Sequence, residues 1–335
     1  MPSRVFLIVG LGLMALVAYL LLWPVPIRPV SWAAPVAPGY AGAHAANQRL
    51  AGLQVIDLGA EDGPEHVAFG PDGMLYVAFG DGGQADDQGN GVAVGPDGGA
   101  VFVGVTAGRG LPIKSAFQKT FGGGFGDAFI TKLSPAGNTL VYSSYFGGSS
   151  YDAARAVALD ATGAAYVAGY TQGLIPVKNA FQPLRKGKND GFVAKVASNG
   201  RSVVYSSFLG GGADDLAFGI AVDGTGAAYV AGGTNSGNFP VKNPFQAVRR
   251  GSKDAFLTIV DPGGAKLLYS TFLGGKYAET GYGVALGADG AVYLSGVTNS
   301  PDLPLLSDKG YQGALGGGDD GFVFKFAIDG AGRRR

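Results

Sequence analysis

The chain has 335 residues carrying 25 basic and 25 acidic side chains, so no net field recruits a nucleic-acid backbone, and nucleic acid is excluded as a partner class. Cysteine is absent, which rules out disulfides, thiol nucleophiles and cysteine-ligated zinc. The 60 glycines recur in register with a repeat and so belong to turns and close packing rather than to a disordered chain.

Residues 5–23 (VFLIVGLGLMALVAYLLLW) are an uninterrupted apolar run after Arg4. At 1.5 Å per residue the run reaches about 28 Å, close to the roughly 30 Å hydrocarbon core of a bilayer. It is predicted to be one transmembrane helix that anchors the chain in the membrane, with Arg4 cytoplasmic. The competing reading is a cleaved signal peptide, whose apolar region is usually shorter. Either reading exports the rest of the chain and places it in the cell envelope, periplasmic or extracellular. Residues 24–52 are rich in Pro and Ala and are expected to form an extended spacer. Residues 53–335 form the folded domain.

From residue 53 the text reads LQVIDLGAEDGPEHVAFGPDGMLYVAFGDGG. Together with Trp32, Pro35, Pro38, Asn47 and Leu50 in the linker, its Gly63, Pro64 and Glu65 resemble the start of strictosidine-synthase-like and gluconolactonase-type propellers. That resemblance implies one site residue, Glu65, as part of a divalent-cation site at a central channel. The later blades do not continue its pattern.

They follow a repeat of about 64 residues instead. The complete copy at 155–217 holds four short runs, AVALD (156–160), AAYVAGYT (164–171), FVAKV (192–196) and VVYSSFL (203–209), bounded by Gly, Asn and Asp. Alternating apolar positions around tight turns predict antiparallel strands, and no run has helical periodicity. An aromatic recurs at Phe102, Tyr166, Tyr229 and Tyr293, and a loop proline at Pro112, Pro176, Pro240 and Pro304. Residues 91–328, with copies such as GDAFITKLSPAGNTLVYSSYFGG (126–148), resemble the bacterial seven-bladed β-propeller (SBBP) repeat family. The resemblance implies an extracytoplasmic propeller and supplies no catalytic residues.

The predicted fold is all-β: a β-propeller of about five four-stranded blades beginning near residues 62, 87, 152, 215 and 279, preceded by the transmembrane helix. The first blade is truncated to two strands, because residues 90–106 already repeat them. The last copy ends after its third strand, FVFKFAI (322–328). The strand LQVIDL (53–58) is expected to fill that vacancy and close the ring; an open array is the alternative.

In a repeat protein, a side chain present in every copy serves what every blade needs. Eight residues before the end of each first strand stand Asp62, Asp87, Asp152, Asp215 and Glu279. They are expected near one mouth of the channel, either capping a neighbouring blade or collecting a cation, most plausibly Ca2+. Asp127, Asp190, Asp254 and Asp320, opening the third strands, are read as acceptors of turn N–H groups. The loop lysines Lys114, Lys178 and Lys242, beside Asn179 and Asn243, are read as solvated, as are the basic groups Arg185, Lys186, Lys188 and Arg249, Arg250, Lys253. His66 has no triad or HExxH context, and Arg333 to Arg335 read as a tail. Two functions remain: a non-catalytic scaffold or binding module for a protein or glycan, with no resident cofactor unless Ca2+, and a metal-dependent hydrolase or lactonase.

Overall fold

A computed structural model describes residues 67–69, 75–77, 87–137, 139–304, 316–326 and 328, all within the compact unit Leu58–Arg335. The apolar run at 5–23, the linker, the expected strand at 53–58, and Asp62, Glu65 and His66 lie outside the described residues. Among the described residues no helix is long and apolar enough to cross a membrane.

Among the described residues seventeen strands form five antiparallel sheets, in sequence order within each. β1 (Val67–Phe69) and β2 (Leu75–Val77) make the two-stranded sheet expected of a truncated first blade. Three complete blades follow: β3 (Asp87–Val94), β4 (Ala100–Thr106), β5 (Asp127–Leu133) and β6 (Leu140–Phe146); β7 (Asp152–Leu159), β8 (Ala165–Thr171), β9 (Asp190–Val196) and β10 (Val203–Leu209); β11 (Asp215–Val222), β12 (Ala228–Thr234), β13 (Asp254–Val260) and β14 (Leu267–Leu273). β15 (Glu279–Leu286), β16 (Val292–Thr298) and β17 (Asp320–Phe326) make the last, three-stranded sheet.

Local chemistry sets these hairpins. In the β7–β8 turn, Asp160 Oδ1 accepts the N–H groups of Thr162 at 2.9 Å and Ala164 at 3.1 Å. Asp223 repeats this in the β11–β12 turn at 2.8 and 3.0 Å, each an Asx-type cap that fixes the reversal.

The first strands start earlier than the alternation predicted: β7 begins at Asp152, not at 156. A bulge causes the difference. Register shifts between Ala154 and Ala156, and likewise between Gly89 and Gly91, Ala217 and Gly219, and Gly281 and Gly283. The extra residue breaks the two-residue period and hides the strand's first half.

The first strands of successive sheets, β3, β7, β11 and β15, neighbour one another. This is the arrangement of innermost strands in a β-propeller. The core lies between blades rather than within one. Tyr142 and Phe146 of β6 join Val167 and Phe192 of the next blade in one cluster, with the Phe146 and Phe192 ring centroids 5.2 Å apart. Tyr205 and Leu209 of β10 do the same with Val230 and Phe256. Each such buried aromatic contributes about 1.5–3 kcal/mol, so no blade is stable without a neighbour. β17 is less enclosed than its counterpart one blade earlier. Val323 is 71% exposed, whereas Leu257, its counterpart in β13, is fully buried.

Candidate functional site

The acidic positions of the first and third strands meet at the blade junctions. Gly147 and Gly148, just after β6, lie between Asp127 of their own blade and Asp152 of the next. A Cβ placed on Gly147 would stand 2.6 Å from Asp152 Oδ2 and 2.8 Å from Asp127 Cγ. Gly148 donates its N–H to Asp152 Oδ2 at 2.7 Å, and Gly122 donates to Asp127 Oδ2 at 2.6 Å. Gln118 completes the arrangement: its Oε1 accepts the Gly147 N–H at 3.1 Å, while its Nε2 faces Asp127 Oδ2 at 3.4 Å.

The same latch closes the next two junctions. Gln182 Oε1 accepts from Gly210 at 3.3 Å, its Nε2 donates to Asp190 at 3.3 Å, and Gly211 donates to Asp215 Oδ2 at 2.6 Å. Thr234 and Ser236 hydroxyls also donate to Asp215, the latter at 2.8 Å. Gln246 Oε1 accepts from Gly274 at 3.1 Å, its Nε2 donates to Asp254 at 2.7 Å, and Gly275 donates to Glu279 Oε2 at 2.9 Å. Thr298 donates to Glu279 Oε1 at 2.7 Å.

Asp152, Asp215 and Glu279 are fully buried and accept amides that follow the last strand of the preceding blade, the capping arrangement that was one of the two expected of them. The chain buries them because glycine amides supply the donors that a carboxylate otherwise takes from water. Burial pushes the Asp152 carboxyl up to about 6 against the Gly148 and Thr171 bonds, with Asp127 adding a like charge. Burial likewise raises Asp215 to about 6 against the Thr234, Gly211 and Ser236 bonds, and Asp127 to about 6. Asp190 and Asp254 move the same way for the same reason. Asp87, half-buried, keeps a buried Oδ1 with no hydrogen-bond partner among the described residues. No three His, Cys, Asp or Glu side chains gather around a metal-sized site among the described residues; a cation at a latch would compete with inward-pointing N–H groups.

The third-strand aspartates accept turn amides as expected. Asp190 takes Lys186 N–H at 2.9 Å and Gly187 N–H at 2.7 Å, Asp254 takes Arg250 and Gly251 N–H, both at 3.0 Å, and Asp320 takes the Gly316 N–H. The loop lysines Lys114, Lys178 and Lys242 are exposed, in keeping with the solvated reading. Lys178 Nζ donates to the Val203 carbonyl at 2.7 Å and Lys114 Nζ to that of Leu140, tying the loop to the start of the fourth strand. Asn179 and Asn243 adopt φ 47°, the left-handed region that asparagine tolerates. The Arg185 and Arg249 guanidinium groups donate to carbonyls of their own loops, so they brace those loops. The latch glutamines were missed by the sequence reading, although Gln118, Gln182 and Gln246 recur in register.

A second set of positions differs from blade to blade. The bulge residues are Asn90, Arg155, Phe218 and Tyr282, one on each inner strand. They form a row: Arg155 Nη1 donates to Asn90 Oδ1 at 3.3 Å, Asn90 Nδ2 donates to the Ala154 carbonyl at 2.9 Å, and the Phe218 and Tyr282 rings lie 5.3 Å apart. Arg155 covers the Tyr170 ring at 5.4 Å, and Tyr170 lies 6.0 Å from Tyr151. The next blade has Gly233 where this one has Tyr170. The Lys253 chain fills that space, its Cε 2.5 Å from where a Gly233 Cβ would be, and its ammonium reaches 6.0 Å from the Phe218 ring.

A family model described as strictosidine synthase-like, N-terminal, matches residues 42–83. No curated protein matches the chain in sequence. Among solved structures, a putative gluconolactonase is similar at 13% identity and a TM-score of 0.33, over 69% of this chain and 63% of that one. A xylan β-1,4-xylosidase from Bacillus halodurans C-125 is similar at 11% identity and a TM-score of 0.36, over 78% of this chain and 48% of that one. The chain thus spans less than two thirds of either structure. What it is similar to by family is the strictosidine synthase-like N-terminal segment, over residues 42–83 alone.

Proposed function

We propose that this chain is a β-propeller of SBBP type that acts as a non-catalytic binding module for a protein or glycan, held outside the cytoplasm by the apolar run at residues 5–23. One observation carries the reading. The repeated acids, glutamines and glycines are spent on the latches at the three described junctions, while the bulge row presents a different residue on each of β3, β7, β11 and β15: Asn90, Arg155, Phe218 and Tyr282. Function in a repeat scaffold resides where the copies differ.

The test is a binding screen of the intact protein against glycans and peptides, repeated with Arg155, Phe218 and Tyr282 replaced together. Binding lost in the triple variant supports the module; binding that persists places the function elsewhere. The match at residues 42–83 favours a second reading, a metal-dependent hydrolase or lactonase with Glu65 in a cation site. Chelator-sensitive turnover of lactones or esters that Glu65→Ala abolishes would establish it. Membrane anchoring is tested by protease digestion of spheroplasts, in which the propeller is expected to be cleaved without lysis.

A further inference from the structure

We infer that the bulge row is a binding site for a carboxylate-bearing glycan, with the Arg155 guanidinium and the Lys253 ammonium taking the carboxylates and the Phe218–Tyr282 pair stacking against the sugar ring. The inference rests on the binding-module reading above and names its ligand class.

Arg155 is only half-buried, yet among the described residues no carboxylate lies within ion-pair distance of it. Its side chain is held by two long bonds, 3.3 Å to Asn90 Oδ1 and 3.4 Å to the Tyr170 hydroxyl. Its Nε is buried and makes no hydrogen bond. A guanidinium has five N–H donors in a planar fork matched to carboxylate. A buried donor without an acceptor is costly to leave that way. The position therefore has unspent capacity for an anion.

Lys253 repeats the situation one blade on. It is half-buried and forms no ion pair among the described residues. Asp214 is near enough to act on its charge, but Asp214 Oδ1 accepts from Asn189 at 2.7 Å. Desolvation holds the Lys253 ammonium below its ordinary range, and an incoming carboxylate would relieve it.

Phe218, with the Lys253 ammonium 6.0 Å from its ring, pairs with Tyr282 of the next blade at a tilt of 49°, and Tyr282 is 51% exposed. Tyr151 and Tyr170 add hydroxyls beside Arg155. Aromatic faces with a few convergent donors suit a ring with one apolar face and polar edges. Two cations on successive blades, each beside an aromatic ring, fit single carboxylates carried on rings. An acidic peptide would call for a run of cations along a groove, and the row offers none.

The experiment is calorimetric titration of the intact protein with tetragalacturonate, with cellotetraose as the neutral glycan and a hexaglutamate peptide as the acidic non-glycan. Tetragalacturonate is expected to bind, weakening roughly tenfold in Arg155→Gln and again in Tyr282→Ala, and cellotetraose is not. Tyr282 is exposed, so its variant keeps the test alive should Arg155→Gln fail to fold. Hexaglutamate binding that Arg155→Gln weakens, without tetragalacturonate binding, would keep the row as a site and overturn its ligand class. Tetragalacturonate binding that neither variant changes would overturn the placement. No binding of any probe would overturn the inference while leaving the broader module to the screen above.

Discussion

Gly264 tests whether the blades hold one another through fitted contacts. It lies in the turn between β13 and β14 at φ 78°, and a Cβ added there would stand 2.5 Å from Tyr205 Cβ, against the ring of the preceding blade. Tyr205 is fully buried and cannot swing aside. The turn is also pinned, because Phe181 donates its N–H to the Gly264 carbonyl at 3.1 Å. In Gly264→Ala the left-handed backbone costs about 1 kcal/mol, and forcing a methyl into a packed junction costs about 1–3 kcal/mol more. The lost freedom of the unfolded chain returns about 0.5 kcal/mol. The expected net loss is about 2–3 kcal/mol. Gly137 separates the two costs: its φ is 72°, but a Cβ there would meet nothing within 4 Å, so Gly137→Ala should lose about 1 kcal/mol or less. Gly224, with ordinary φ and open space, should be neutral or gain about 0.5 kcal/mol as alanine. Urea denaturation of the three variants, read at the far-ultraviolet strand signal, ranks them. If Gly264→Ala unfolds with the same midpoint as Gly137→Ala, the junction has slack and the fitted-contact argument fails.

Gln182→Ala removes acceptor and donor from a buried latch and should destabilise by about 2–3 kcal/mol; a midpoint shift equivalent to less than ~0.5 kcal/mol would mean water replaces the amide. Asp152, Asp215 and Asp127 carry folded-state values near 6, above the ordinary aspartate range. The folded state therefore binds protons more tightly than the unfolded one, and stability should rise as pH falls from 7 toward 5. Asp160 works the other way: although burial raises it, Thr162, Lys195 and backbone amides hold it down to about 2, so its contribution is present above about pH 4 and is lost as pH falls toward 2. Melting temperature plotted against pH should peak between about 4 and 5.5; a maximum above pH 7 contradicts the latch assignment. Millimolar Ca2+ should leave the melting temperature at pH 7 unchanged, since an inward-pointing amide already occupies one oxygen of each latch carboxylate. A rise abolished by Asp215→Asn would restore the cation reading.

Periodicity made the blades legible before any coordinates. The spacing of Tyr166, Tyr229 and Tyr293 marks the second strands, and the acidic series marks where β7, β11 and β15 begin. The bulge was not legible, since inserting one residue erases the alternation on which strand recognition depends. Arg155 and Phe218 therefore fell outside the predicted first strands, and with them the bulge row. The latches failed for a different reason. Asp127, Gln118 and Asp152 come from a third strand, a long loop and the next blade, and only the closed junction shows that one glycine pair joins them. The loop lysines are exposed as read, but the carbonyl contacts of Lys114 and Lys178 were not legible, because a long aliphatic chain that reaches a backbone carbonyl reads in sequence like one that ends in water.

The division of labour between latch and row follows from a constraint on tandem repeats. A junction must form between neighbouring blades, so its chemistry has to be self-consistent along the array: at three described junctions an acid on one blade meets a glycine amide on the previous one, and a change in one copy breaks two blades. The Asp-to-Glu change at Glu279 is tolerated because the longer side chain still accepts from Gly275 and Thr298. The bulge position is under no such rule. It lies outside the ladder register, so its side chain is not required by a partner strand. Its neighbours adjust in pairs, as Tyr170 beneath Arg155 and Gly233 beneath Lys253 do. A row free to vary, supported by a junction that is not, is what lets a repeated scaffold carry an asymmetric binding surface.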